Sequence, residues 1–136
     1  MKALTLSVLL AFCGVAQAAA PADERLYHRE QQVQLPGSGS SWGFIALDPT
    51  RPYLFLARRE NGLSVFDVDK QRPVRTLEQS RGANGVVLVP ELDRLLVLNT
   101  DGSLGVVELS TFKPLKRIIV TQSNLNSAVY EPRTGQ

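Results

Sequence analysis

Cysteine and histidine are nearly missing from this chain of 136 residues, with one of each, Cys13 and His28. Cys13 sits in an N-terminal apolar run, so the rest of the chain holds no thiol and a disulfide framework is excluded. His28 has no partners at metal-ligand spacing and reads as an exposed strand residue, so no metal site is expected. An excess of one charge is also lacking: 15 Lys and Arg stand against 13 Asp and Glu. No basic run exceeds Arg58-Arg59 or Lys116-Arg117. Nucleic-acid binding needs a clustered positive face, so that class is excluded. The apolar run from Ala3 to Val15 has 13 residues, too few to span a membrane as a helix. No amphipathic helical pattern follows it.

The N-terminus instead reads as an export signal. Met1-Lys2 is a short positive start, the apolar run follows, and Ala16-Gln17-Ala18 is a small-x-small cleavage site. Residues 1–18 are expected to be removed after Ala18, placing the product in the periplasm or outside the cell. Lipidation at Cys13 is disfavoured because Phe12, not a small residue, precedes it.

What the remainder does contain is a repeat. Asn61-Gly62-Leu63-Ser64-Val65-Phe66-Asp67 is echoed by Asp101-Gly102-Ser103-Leu104-Gly105-Val106-Val107-Glu108. Each copy follows an apolar run, Tyr53–Ala57 or Leu95–Asn99. Asn-Gly and Asp-Gly predict tight type I′ hairpins, in which both central residues take φ > 0. Leu63 to Leu104 and Pro73 to Pro114 are both 41 residues apart. Pro49, Pro90 and Pro132 close equivalent strands at spacings of 41 and 42. A strand-built repeat of about 40–45 residues is the signature of a propeller blade. The first two strands of each repeat are continuously apolar and the fourth is polar, as in Val74-Arg75-Thr76-Leu77. That gradient fits inner strands near an axis and an outer strand in water.

The fold class is therefore all-β: four-stranded antiparallel blades of a β-propeller in an incomplete ring. The expected plan is a loose leader at 19–25, an outer strand at 26–35, blades at 42–77 and 86–120, and an orphan inner strand at 128–130. Two blades would leave two apolar faces bare. A truncated product, or closure by self-association if the short chain is natural, is the expected reason.

An apolar strand ending in Asn, a short turn and a Val-x-Val-Ile-Asp-like strand resemble the YVTN-type β-propellers, in particular the exported bacterial YncE-like proteins. Leu95–Asn99 with Leu104–Glu108 carries the resemblance, as does Tyr53–Ala57 with Leu63–Asp67, differing at Ala57 and Glu108. The resemblance implies a ring of about seven blades and a periplasmic location. Its motifs specify the blade and not a reaction.

The turn before each inner strand and the turn between second and third strands should share one rim of such a ring. The first set holds Ser41, Trp42, Asn84 and Asn126, and the second Arg58, Arg59, Glu60 and Asp101. Trp42, Arg58, Arg59, Asn84 and Asn126 are the candidate ligand-binding residues. No catalytic residue and no cofactor is expected. Gly39-Ser40-Ser41-Trp42-Gly43 matches the Gly-x-Ser-x-Gly elbow, but a strand follows it and the lone histidine lies upstream, against a serine hydrolase. The expected function is a non-catalytic binding or interaction scaffold for an unidentified protein or small molecule. The alternative is the N-terminal part of a propeller enzyme or cofactor-handling protein, lactonase-like or haem d1-type.

Overall fold

The computed structural model describes residues 28–136. The expected signal and leader lie outside the described residues. The chain divides into Met1–Gln32, of which 28–32 are described, and Val33–Gln136. The second unit is two antiparallel sheets of four strands. β1 (Ile45–Leu47), β2 (Tyr53–Arg58), β3 (Gly62–Asp67) and β4 (Arg72–Thr76) pair in sequence order. β5 (Ala83–Val89), β6 (Arg94–Asn99), β7 (Ser103–Glu108) and β8 (Pro114–Ile119) do the same. A 3-10 turn at Pro90–Leu92 joins β5 to β6. These are two four-stranded propeller blades, all-β as the period predicts.

Register fixes which side chains meet, because successive residues of a strand point to opposite faces. Phe55 pairs with Val65 and Ala57 with Leu63, and all four are buried. Val97 pairs with Val86, and Leu95 with Leu88 and Val107. These two faces meet in one core with Leu77, Ala83 and Leu109. Phe112, from the second blade, seals its edge with ring centroids 5.5 Å from Tyr53 and 6.0 Å from Phe55, both edge-on.

Three expectations need correction. Residues 28–35, the described part of the expected outer strand, form no strand. A strand exists by pairing, and the polar run Gln31-Gln32-Val33-Gln34 stays exposed or half-exposed and unpaired, with little apolar surface to gain by docking. Ala128–Tyr130 is likewise no strand, because the residues after it turn instead of supplying a second strand. The hairpins are not type I′. Only Gly62 (φ 87°) and Gly102 (φ 79°) have positive φ there. Each tip is a turn closed by one bond, Asn61 N–H to the Arg58 carbonyl at 2.6 Å and Gly102 N–H to the Asn99 carbonyl at 3.1 Å. By register Arg58, not Ala57, stands where the second blade has Asn99.

The blade limits also shift. β1 begins at Ile45 instead of Trp42, because the Phe44 N–H is committed to the Asn84 carbonyl at 2.8 Å. β5 begins at Ala83, so Asn84 and Gly85, which look like a break in sequence, lie within the strand.

Candidate functional site

The two hairpin tips and the segments before β1 and β5 gather at one end of the strands. Gly82 joins them through its backbone. Its N–H donates to the Arg59 carbonyl at 2.7 Å, and its carbonyl accepts from Thr100 N–H at 2.9 Å.

Arg59 and Asn84 form the centre. Arg59 Nε donates to Asn84 Oδ1 at 2.8 Å and Nη1 donates to Ser41 Oγ at 3.0 Å. Asn84 is 1% exposed. Its Nδ2 faces three acceptors: Asn124 Oδ1 at 3.2 Å, the Leu125 carbonyl at 2.9 Å and Asn126 Oδ1 at 3.0 Å. A buried amide is costly unless both its ends are engaged, and here both are. Asn124 Nδ2 in turn donates to Asn126 Oδ1 at 2.9 Å. Beside this network lies an open depression of about 380 Å³, whose lining includes Ser41, Arg59, Glu60, Arg81 and Asp101.

The structure thus brings Ser41, Arg59, Asn84 and Asn126 together. It separates Arg58 and Trp42 from them. Arg58 is 3% exposed, with Nη1 donating to the Pro36 carbonyl at 2.6 Å and Cζ 5.2 Å from the Trp42 ring centre. A desolvated guanidinium over an aromatic face is a favourable cation–π pair. Arg58 therefore fastens the segment before β1 to the first blade, and the two neighbouring arginines do not clamp one anion. Asn124 is a further member, two residues before Asn126 in the segment after β8, that the repeat pattern did not single out.

Asp101 is a tethered carboxylate. It accepts from Ser103 Oγ at 2.6 Å, Arg117 Nη2 at 2.7 Å and Ser103 N–H at 3.0 Å. The Ser103 hydroxyl, then Arg117, hold its pKa down at about 2. At the other end of the strands, burial pushes Asp48 up, but the Thr50 N–H and Arg51 outweigh it and leave it lowered. The Lys70 N–H does most to lower Asp67. A second opening, about 460 Å³ along the outer edges of the blades, is lined by Arg75, Glu78, Phe112 and Lys113 among others. Among the described residues, no hydrogen-bonded network like that at the rim is built around it.

No family model matches the chain, and no curated protein matches it. Among solved structures, apo AztD from Citrobacter koseri is similar, with a TM-score of 0.50 at 16% identity. The match covers 62% of this chain and 25% of that one. At that identity the likeness speaks for the fold alone. The chain spans about a quarter of AztD's length in this match.

Proposed function

We propose that the chain is an exported, YncE-like propeller scaffold that binds a polar ligand at the Arg59–Asn84 rim without performing chemistry on it. The observation that carries this reading is the prefixed guanidinium. Two of the Arg59 nitrogens are held by Asn84 and Ser41 beside an open depression. A cation held in place in advance binds acceptor groups at lower entropic cost. Carboxylate or carbonyl groups of a peptide or metabolite suit it best.

The carboxylates bear on the chemistry. Asp48, Asp67, Asp101 and Glu131 all have lowered pKa values. General acid–base work favours a group drawn toward neutrality, and these four are drawn away from it. The export signal expected at residues 1–18 and the resemblance of the repeat motif to exported propellers support the cellular placement.

The test is thermal unfolding in a panel of di- and tricarboxylates and short peptides, with wild type and Arg59→Ala side by side. A ligand at 100 times its Kd stabilises by about 2.7 kcal/mol. The expected result is stabilisation of wild type that vanishes in Arg59→Ala. Equal stabilisation of both proteins, or of neither by any compound, overturns the reading.

A further inference from the structure

The depression at the rim is lined by charges of both signs. Arg59 and Arg81 bring two cations, Glu60 and Asp101 two carboxylates, and Ser41 and Thr100 a hydroxyl each. These groups are not equally available. Asp101 is taken up by Arg117 Nη2 at 2.7 Å and by the Ser103 hydroxyl at 2.6 Å. Arg59 gives Nε to Asn84 and Nη1 to Ser41, which leaves Nη2 without a hydrogen bond among the described residues. Ser41 Oγ accepts in that contact, so its hydroxyl hydrogen remains to donate. Glu60 and Arg81 are exposed, and among the described residues neither forms an ion pair. Glu60 nonetheless has a set place. A side-chain carbon on Gly39 would lie 2.5 Å from Glu60 Oε2 and 3.1 Å from its Cβ, so the segment before β1 packs against this carboxylate because residue 39 has no side chain.

What stays open to a ligand is a held guanidinium with a second guanidinium and a hydroxyl beside it, and one carboxylate next in sequence to the first cation. A ligand with several carboxylates satisfies the cations but brings negative charge against Glu60, and like charges repel. A molecule with one carboxylate and one ammonium satisfies both signs at no net charge. The opening of about 380 Å³ lies toward the small end of ligand sites, which run to roughly 300–1,000 Å³. We infer that the rim ligand is a small zwitterion of about dipeptide size. Its carboxylate is taken by Arg59, Arg81 and Ser41, and its ammonium by Glu60. This rests on the ligand-binding reading of the rim and narrows it to one chemical class. The lining residues belong to the two hairpin tips and to the segments before β1 and β5, so both ends of the ligand are met within the two described blades.

The test is calorimetric titration of the full chain at low salt with three probes. They are the dipeptide alanyl-alanine, its N-acetyl form, which has no ammonium, and its amide, which has no carboxylate. Wild type should bind the free dipeptide and should bind each blocked form about fivefold more weakly, the upper end for a solvent-exposed ion pair. Glu60→Gln, at an exposed position, should bind the free dipeptide only as well as wild type binds the acetylated one, and should no longer tell the two apart. Equal affinity of wild type for the free and acetylated forms overturns the inference. If that shared affinity is lost in Arg59→Ala, the carboxylate-binding reading of the rim still stands. Discrimination that survives Glu60→Gln also overturns the inference. Failure of wild type to bind the free dipeptide overturns it alone when a di- or tricarboxylate binds in an Arg59-dependent way, and together with the proposed function when none does. Should Arg59→Ala fail to fold, Arg81→Gln, at an exposed position, takes its place under the same criteria.

Discussion

A side-chain carbon on Gly43 would lie 2.2 Å from the backbone carbonyl oxygen of Asn84. The same relation recurs 42 residues on, where a carbon on Gly85 would lie 2.8 Å from the Asn126 carbonyl oxygen. Each repeat therefore begins with a glycine over which the next repeat's asparagine passes. The pairing links the rim to the stacking of the blades, since the Asn84 carbonyl accepts from Phe44 N–H while its side chain holds Arg59.

Gly43→Ala should destabilise the chain by about 2 kcal/mol, in the range for forced overpacking. Gly85→Ala should cost less, because its clash is milder. Urea midpoints of the two variants measure the order. A Gly43→Ala midpoint equal to wild type would remove the close approach from the account of blade stacking.

The blades were legible in the sequence because their signals are local and repeated. Leu95–Leu98 and Val86–Val89 are continuously apolar, and a strand in the middle of a stack needs both faces apolar. The rim was legible because connectivity alone puts alternate turns at one end. What failed depended on partners. Leu26–Leu35 has strand-like alternation, but its described part, 28–35, forms no strand. Arg58 read as a ligand-binding candidate beside Arg59, yet it is buried beneath Trp42, and charge-bearing residues seldom bury unless paired. Asn61-Gly62 read as a two-residue hairpin, but Arg58 pairs with Gly62, so three residues form the loop.

Gly102→Val should harm folding more than Gly62→Val. Both glycines have positive φ, a region that β-branched residues resist. At Gly102 a new carbon would also meet two backbone oxygens, Thr121 at 2.1 Å and Ser123 at 2.6 Å. At Gly62 the nearest atom is the Ser80 hydroxyl at 2.5 Å. The Ser80 hydroxyl can rotate aside by giving up its bonds with the Leu63 N–H and the Leu77 carbonyl, whereas a backbone carbonyl moves only with its chain. Thermal melts of the two variants give the ranking, and a reversed order would refute this account of the tips.

Phe112→Ala should loosen the blade–blade contact more than it loosens either blade. The ring crosses from the second blade to Tyr53 and Phe55 of the first, and the Arg51 guanidinium carbon lies 5.9 Å from its centre. Removing a packed aromatic costs about 3 kcal/mol. Hydrogen exchange should show the loss at Phe55 and Leu95, where the blades meet, ahead of β4 and β8 at the outer edges. Uniform loss across both sheets would contradict it.

Acid should weaken the chain between about pH 4 and pH 2, and Asp101 should account for part of the loss. Its carboxyl has an ordinary pKa of 3.8 and is held at about 2 in the fold. A lowered folded-state pKa contributes stability above the unfolded value, and that stability disappears as pH falls through the folded one. Asp48, Asp67 and Glu131 are shifted in the same direction and contribute with the same sign. Asp101→Asn should therefore lower the urea midpoint at pH 5 and flatten its fall toward pH 2. Arg117→Gln should flatten it less, because the Ser103 hydroxyl and N–H still hold the carboxylate. Identical midpoint–pH curves for wild type and Asp101→Asn would show that the tether between the hairpin tip and β8 contributes nothing to stability.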